Sequence, residues 1–290
     1  MAVKRKTMRL IEFREDFIDS IKEAYNSREA LELFNLTLED LFQIKPIELA
    51  VNRDLSLSEE NYDRFRDVVK RLLNKEPIQH IIGFTFFRNL KYIVNSKVLI
   101  PRPETEELVQ WLLSDFDFSK KGPAKILDLC TGSGCIAISL ASELGEKVKV
   151  SALDYSKEAL EVARLNAKNN KVEVNFIEAD LLKLEHIENF DVVISNPPYV
   201  RDSEKNYMEE RVLDFEPDMA LFVSDAKPLI FYSKIGSLFK QNAKSNSLLY
   251  LEINQYLSEE TIADLRRLGL NRIDLKKDFR GNPRMIRAQI

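Results

Sequence analysis

From Lys125 onward the chain repeats one unit: a short apolar run that stops on a polar residue, a turn, then a helical segment. AKILDL leads into CTGSG and CIAISLASELG, VKVSALD precedes SKEALEVARLNAKNN, VEVNFIEAD ends in a short polar turn, and DVVISN closes the series. Apolar runs of this length alternating with amphipathic helices are strands covered on both faces. A mainly parallel, doubly wound α/β sheet is the architecture that accommodates them. The pattern continues through a helix around Ala226 to Phe239, the strand SLLYLEI, the helix SEETIADLRRLG and a terminal pair, NRIDLKKD and RMIRAQI.

In such a sheet the polar residues that end the strands gather at its carboxyl edge, where ligands bind. The first strand runs into Asp128-Leu129-Cys130-Thr131-Gly132-Ser133-Gly134, whose glycines permit a tight turn close to a ligand just before a helix N-terminus. Neither the dinucleotide pattern G-x-G-x-x-G nor a P-loop is present. The second strand ends in Asp154, suited to two ribose hydroxyls, and the third in Asp180, suited to an adenine amino group. Each acid alone also reads as a helix N-cap. Together, with no phosphate grip, they favour S-adenosylmethionine over NAD as the cofactor.

The fourth strand ends in Asn196-Pro197-Pro198-Tyr199. Two prolines fix φ twice, remove two donors and hold Asn196 away from helix. An Asn carboxamide, a free proline carbonyl and an aromatic ring then meet at a strand end, a combination suited to gripping a planar NH2 group.

Other chemistries are disfavoured. With two histidines, His80 and His186, far apart in the chain, a serine triad or a zinc centre is not expected, and no metal site is assigned. Cys130 and Cys135 read as small buried hydrophobes rather than a redox pair, which fits a reducing cytoplasm. A formal net charge of −4 offers no footprint for a polyanion, so direct nucleic-acid binding is not expected. No apolar run reaches the ~18–20 residues that cross a bilayer, and the basic start lacks the apolar core of a secretory signal.

Ahead of the repeating units, residues 1–77 read as a helical domain, either a substrate-docking module or equally a packing support for the domain that follows. Leu10, Phe13, Phe17, Ile18 and Ile21 fall at helical spacing, and Ser27 and Ser58 are placed as N-caps of two further helices. Residues 78–104 read as a β-hairpin linker turning at Arg88-Asn89, and 105–290 as the catalytic domain. Pro101-Arg102-Pro103-Glu104-Thr105-Glu106 enters a helix with ordinary first-turn chemistry.

ILDLCTGSGCIAISLA, ALDYSKEALEVARLNA, IEAD and ISNPPYV, in this order, resemble class I methyltransferases that modify planar nitrogens. IPRPETEELV and FEPDMALF narrow the resemblance to the HemK/PrmC family, the protein-(glutamine-N5) methyltransferases of peptide chain release factors. The resemblance spans nearly the whole chain. It implies a seven-stranded class I methyltransferase sheet, S-adenosylmethionine as cofactor, and methylation of the glutamine in the Gly-Gly-Gln tip of class 1 release factors; a monomer in the cytoplasm is expected beside it. By position, Cys130, Thr131, Gly132, Ser133, Gly134, Asp154, Asp180, Leu181 and Asn196 are the expected cofactor residues. Asn196, Pro197, Pro198 and Tyr199 are expected to hold the glutamine, with Asn196, Pro197 and Tyr199 catalytic. Cys130 stands where the family usually has glycine, and Leu181 where an aromatic is common.

Two other readings fit NPPY. An adenine-N6 methyltransferase acting on nucleic acid meets a similar NH2 on a flat ring, although it must unstack its base and usually presents a basic surface. The other is an S-adenosylmethionine-binding scaffold without turnover.

Overall fold

The computed structural model describes residues 8–52, 54–118, 122–244 and 246–290. The first seven residues, on which the reading of the basic start partly rests, lie outside the described residues. The chain forms two compact units, one of the residues up to Gly83 with Glu210–Phe215, the other of Phe84–Glu209 and Glu216–Ile290.

In the first unit the elements are β1 (Met8–Arg9), α1 (Leu10–Ile21), α2 (Ser27–Phe42), α3 (Pro46–Val51), β2 (Ser56–Leu57), α4 (Glu59–Leu73) and α5 (Ile78–Ile82). The stripe Leu10, Phe13, Phe17 and Ile21 is buried, and Ile18 is half-buried. Phe65 sits at the centre of this core, 4.4 Å from the Phe42 ring at 12° and 5.7 Å from Phe34 at 16°. Ser58 caps α4 through the Asn61 N–H, as expected. The cap of α2 is Asn26, one residue before Ser27, because its carboxamide oxygen reaches the N–H groups of both Arg28 and Glu29. Two further departures are small. β1 and β2 form a two-residue antiparallel pair, and Ile78–Ile82 is a helical turn rather than the start of the hairpin. Gly83, at φ 84, ends that turn.

The second unit opens with β3 (Phe84–Phe87) and β4 (Leu90–Ile93), joined by Arg88 at φ 47 and Asn89 at φ 61. Two consecutive left-handed residues make the primed two-residue turn whose twist matches the strands it joins. Next come α6 (Pro103–Asp115), β5 (Ala124–Leu129), α7 (Cys135–Leu144), β6 (Val148–Asp154), α8 (Lys157–Asn169), β7 (Asn175–Glu178), β8 (Val192–Ser195) and β9 (Val200–Arg201). After α9 (Glu210–Phe215), which belongs to the first unit, come α10 (Asp218–Leu221), β10 (Phe222–Val223), α11 (Ile230–Asn242), β11 (Leu248–Glu252), α12 (Ser258–Arg267), β12 (Arg272–Lys277) and β13 (Pro283–Gln289).

Seven strands form one sheet in the order β12-β13-β11-β8-β5-β6-β7. The five from β11 to β7 are parallel, and β13 runs antiparallel to both neighbours. Strand alternation divides the core. Ile126, Val192, Ile194 and Tyr250 face α6 and α7, whereas Leu127, Leu129, Val193, Leu249 and Leu251 face α11 and α12. The chain leaves β5 toward β6 and β7, then returns to β8 on the other side of β5. That reversal opens a crevice at the carboxyl ends of β5 and β8.

Candidate active site

A cavity of about 390 Å³ fills this crevice, within the ~300–1,000 Å³ typical of small-molecule sites. Of the expected cofactor residues, Cys130, Thr131, Gly132, Ser133, Asp154, Asp180, Leu181 and Asn196 line it, joined by Pro198. Gly134, Pro197 and Tyr199 are not on its wall.

The β5–α7 loop is built from three left-handed residues close together, Cys130 at φ 60, Gly132 at φ 54 and Gly134 at φ 81. The Thr131 N–H donates to the Leu153 carbonyl, and the Gly132 N–H donates to Asp154 Oδ2 at 2.8 Å. Asp154 Oδ1 accepts from the Ser156 N–H at 2.9 Å, so this acid braces the loop while it faces the cavity. Burial raises its pKa, opposed by those backbone bonds. Gly134 works from behind. A Cβ there would lie 2.8 Å from Ile138 Cδ1 and 3.1 Å from Ala163 Cβ, so the absence of a side chain lets α7 approach α8. Asn166 of α8, fully buried, donates to the carbonyls of Ser133 and Ile93 and so ties the loop to the hairpin.

Asp128 lies on the α7 face of β5 with no exposed surface. Its Oδ2 accepts from Thr131 Oγ1 at 2.5 Å, while Oδ1 is buried with no partner. Burial pushes its pKa up to about 7, against the Thr131 hydrogen bond. Asp180 caps the turn Leu181–Lys183 through the Leu182 N–H and lies 3.2 Å from Lys183 Nζ. The capping role read from sequence as an alternative is therefore present on a residue that also lines the cavity. The Cys130 thiol is pushed well up by burial, which keeps it protonated and a weak nucleophile.

At the end of β8 the chain is extended, and its side chains alternate: Asn196 and Pro198 line the cavity, Pro197 and Tyr199 do not. Asn196 Nδ2 donates to Thr105 Oγ1 at 3.1 Å. Thr105 Oγ1 in turn donates to Glu252 Oε2 at 2.7 Å, and the Tyr199 hydroxyl donates to Glu252 Oε1 at 3.0 Å. The Tyr199 carbonyl accepts from Asn254 Nδ2 at 3.0 Å. Burial holds Tyr199 well above its ordinary pKa, so it remains a donor. Among the described residues, no hydrogen bond is donated to Asn196 Oδ1 or to the Pro197 carbonyl.

Sequence reasoning gave Thr105 only a first-turn role and did not single out Glu252. The available signal was a carboxylate ending the otherwise apolar strand LLYLE, at the same level as Asn196 past the end of β8. Arg102 and Glu216, left without roles, are partners. Glu216, 5% exposed, accepts from Arg102 Nη2 and from the Ile100 N–H at 3.0 Å. Arg102 and Pro217 both line the cavity, so this pair fixes two loops of its rim.

Residues 12–83 match the family model described as PrmC N-terminal domain, and residues 120–264 match one described as methyltransferase domain. The release factor glutamine methyltransferase of Flavobacterium psychrophilum is 42% identical over 278 residues, covering 95% of this chain and 97% of that protein. This chain belongs to the release factor glutamine methyltransferase family. The Bacteroides thetaiotaomicron member of the family is 36% identical, covering 93% of this chain and 96% of its own length. Among solved structures, a human methyltransferase 10 domain containing protein has a TM-score of 0.50 at 16% identity, over 69% of this chain and 89% of its own, a likeness of fold. Family membership and the seven-stranded sheet agree with the class I methyltransferase architecture expected from sequence. Among the described residues no helix is long and apolar enough to cross a membrane, and no cluster of ligating side chains is arranged for a metal ion.

Proposed function

We propose that this protein transfers a methyl group from S-adenosylmethionine to the side-chain amide nitrogen (N5) of the glutamine in the Gly-Gly-Gln motif of class 1 peptide chain release factors. The reading is supported by family membership, and one observation carries the chemistry. Asn196 lines the cavity with its Nδ2 committed to Thr105, so its Oδ1 is left as an acceptor, and the carbonyl of the next residue, Pro197, likewise receives no hydrogen bond among the described residues. It acts as a monomer in the cytoplasm and uses no nucleic acid, in keeping with a net charge of −4.

The cavity suits the cofactor. Its volume is adequate, and Asp154, on the wall, offers carboxylate acceptors to it. Cys130 to Ser133, Asp154, Asp180, Leu181 and Asn196 would hold it, with Gly134 shaping their loop from behind. When bound, S-adenosylmethionine supplies a methyl group activated by attachment to a sulfonium sulfur.

The chain's own residues act on the glutamine. A primary amide is a poor nucleophile because its nitrogen lone pair is delocalised into the carbonyl. Asn196 Oδ1 and the Pro197 carbonyl accept its two N–H bonds and fix the nitrogen's orientation at the cavity. As that nitrogen gains positive charge, both acceptors bind it more strongly, so they stabilise the transition state beyond the ground state, and the cationic nitrogen then releases one N–H proton to solvent to leave the neutral N-methyl amide. Pro198 forms wall beside them. Tyr199 acts through its hydroxyl on Glu252 rather than as a wall of the cavity.

The test is transfer of labelled methyl to a release factor with its tip glutamine intact, to one with that glutamine replaced, and to DNA. Label is expected on the first alone; label on DNA would favour the adenine enzyme, and none at all a scaffold. Asn196→Ala is expected to lower kcat by ~100-fold or more, the scale of losing one transition-state hydrogen-bond partner, with cofactor Kd within about threefold. Near-normal kcat in that variant would overturn the grip.

A further inference from the structure

We propose that Thr105 and Glu252 are positioning residues for Asn196, setting which end of its carboxamide faces the glutamine. The inference rests on the grip assigned above to Asn196 and adds the reason the grip has the right polarity.

An asparagine carboxamide is nearly symmetric in shape but opposite in chemistry at its two ends. If Nδ2 rather than Oδ1 faced the substrate, two donors would meet the glutamine NH2 and the grip would fail. Something must therefore select one orientation, and the structure contains a chain of groups that does so. Glu252 is 1% exposed, and no lysine or arginine among the described residues forms an ion pair with it. Burial raises its pKa, opposed by the hydrogen bonds from Thr105 and Tyr199 and by the charge of Arg284, and in its ionised form it can only accept. Its two oxygens take the hydroxyl protons of Thr105 at 2.7 Å and Tyr199 at 3.0 Å. Thr105, 2% exposed, has one hydroxyl proton, and that proton is committed to Glu252. Its Oγ1 can then only accept from Asn196, so the Asn196 atom 3.1 Å away must be Nδ2. Oδ1 is thereby left as the outward acceptor.

The fold delivers this alignment through strand parity. Leu251 pairs with Ser195 across β11 and β8, so Glu252 and Asn196, each one residue further on, lie at the same height. Each follows the parity of Tyr250 and Ile194, which face α6, the helix whose first turn carries Thr105. Tyr199 also gains a role here. By occupying Oε1 it leaves Oε2 for Thr105, which accounts for its position off the cavity wall.

The experiment measures steady-state methylation of a release factor by Thr105→Val, Thr105→Ser and Asn196→Ala, with cofactor Kd by calorimetry and melting temperature as controls. Thr105→Val keeps the shape and removes the hydroxyl. It is expected to lower kcat 10–100-fold, the scale of a ~1 Å misplacement, while KM for the release factor and cofactor Kd stay within about threefold. Thr105→Ser restores the hydroxyl and is expected to recover kcat to within about threefold of wild type. Should Thr105→Val fail to fold, Thr105→Ala, which leaves space instead of a methyl against the carboxylate, is read in its place. A folded Val or Ala variant with kcat within threefold of wild type overturns the proposal, and so does a serine variant as impaired as the alanine one. Failure of the underlying grip is a separate result: an active Asn196→Ala enzyme.

Discussion

Gly134→Ala tests how the cofactor loop is built. The residue sits at φ 81, and a side chain there carries the left-handed penalty of ~1–2 kcal/mol. The new Cβ would also lie 2.8 Å from Ile138 Cδ1 and 3.1 Å from Ala163 Cβ. Ile138 and Ala163 have no exposed surface, so neither can swing into solvent, and overpacking of this kind costs ~1–3 kcal/mol. The two add to a loss of ~2–5 kcal/mol. The readout is urea unfolding followed by fluorescence of Trp111, the single tryptophan, which packs against the core on that face of the sheet. Moving α7 off α8 also displaces the Gly132 and Ser133 backbone, so weaker cofactor binding is expected alongside. Cys130→Gly is the matched comparison. It relieves the left-handed penalty at φ 60, but it forfeits a side chain and adds ~0.5–1 kcal/mol of unfolded-state entropy, leaving a net change within about 1 kcal/mol. A Gly134→Ala protein destabilised by less than ~0.5 kcal/mol, or no more than the Cys130→Gly protein, would refute the reasoning.

Asp128 gives a pH dependence. Its folded pKa, about 7, lies above the ordinary carboxylate value, so the folded state holds a proton that the unfolded chain releases. Stability from this group is full below the unfolded pKa and is lost as pH rises toward about 7. The cofactor-free Asp128→Asn protein is therefore expected to lose less stability than wild type between pH 5 and pH 8 in denaturant titrations; equal losses would count against it. Phe65→Ala removes the fully buried ring at the centre of the first unit's aromatic cluster and is expected to cost that unit ~3–5 kcal/mol. Hydrogen exchange is expected to rise in α1, α2 and α4 while cofactor affinity holds, because the cavity is lined wholly by the second unit.

The parallel sheet and the cavity's acidic ends were legible because each rests on a local pattern: apolar runs of strand length, a Gly-x-Gly turn, a polar residue at each strand end. The hairpin turn at Arg88-Asn89 was legible for the same reason. Thr105 and Glu252 were not, since their meaning arises only when a helix start and a strand end 147 residues apart meet. Asn166 escaped notice likewise: mid-helix asparagine carries no signal until the loop it binds is in place. Two local signals lost to competing geometry. Asn26 outcompeted Ser27 as a cap because it stands one position earlier, where its carboxamide reaches two N–H groups. The apolar run at Ile78–Ile82 was too short for periodicity to separate strand from helix, and Gly83 closed it as a turn.

The segment Glu210–Phe215 is a late contribution to an early unit. Arg211 pairs with Glu29, and Glu210 with Lys75, so residues made well past the middle of synthesis complete a structure whose other parts emerge first. A nascent chain leaving the ribosome must hold its opening helices for more than a hundred residues before that last piece arrives. A truncation between Gly83 and Glu210 would leave those helices without it, and their isolated stability would understate what they have in the finished chain.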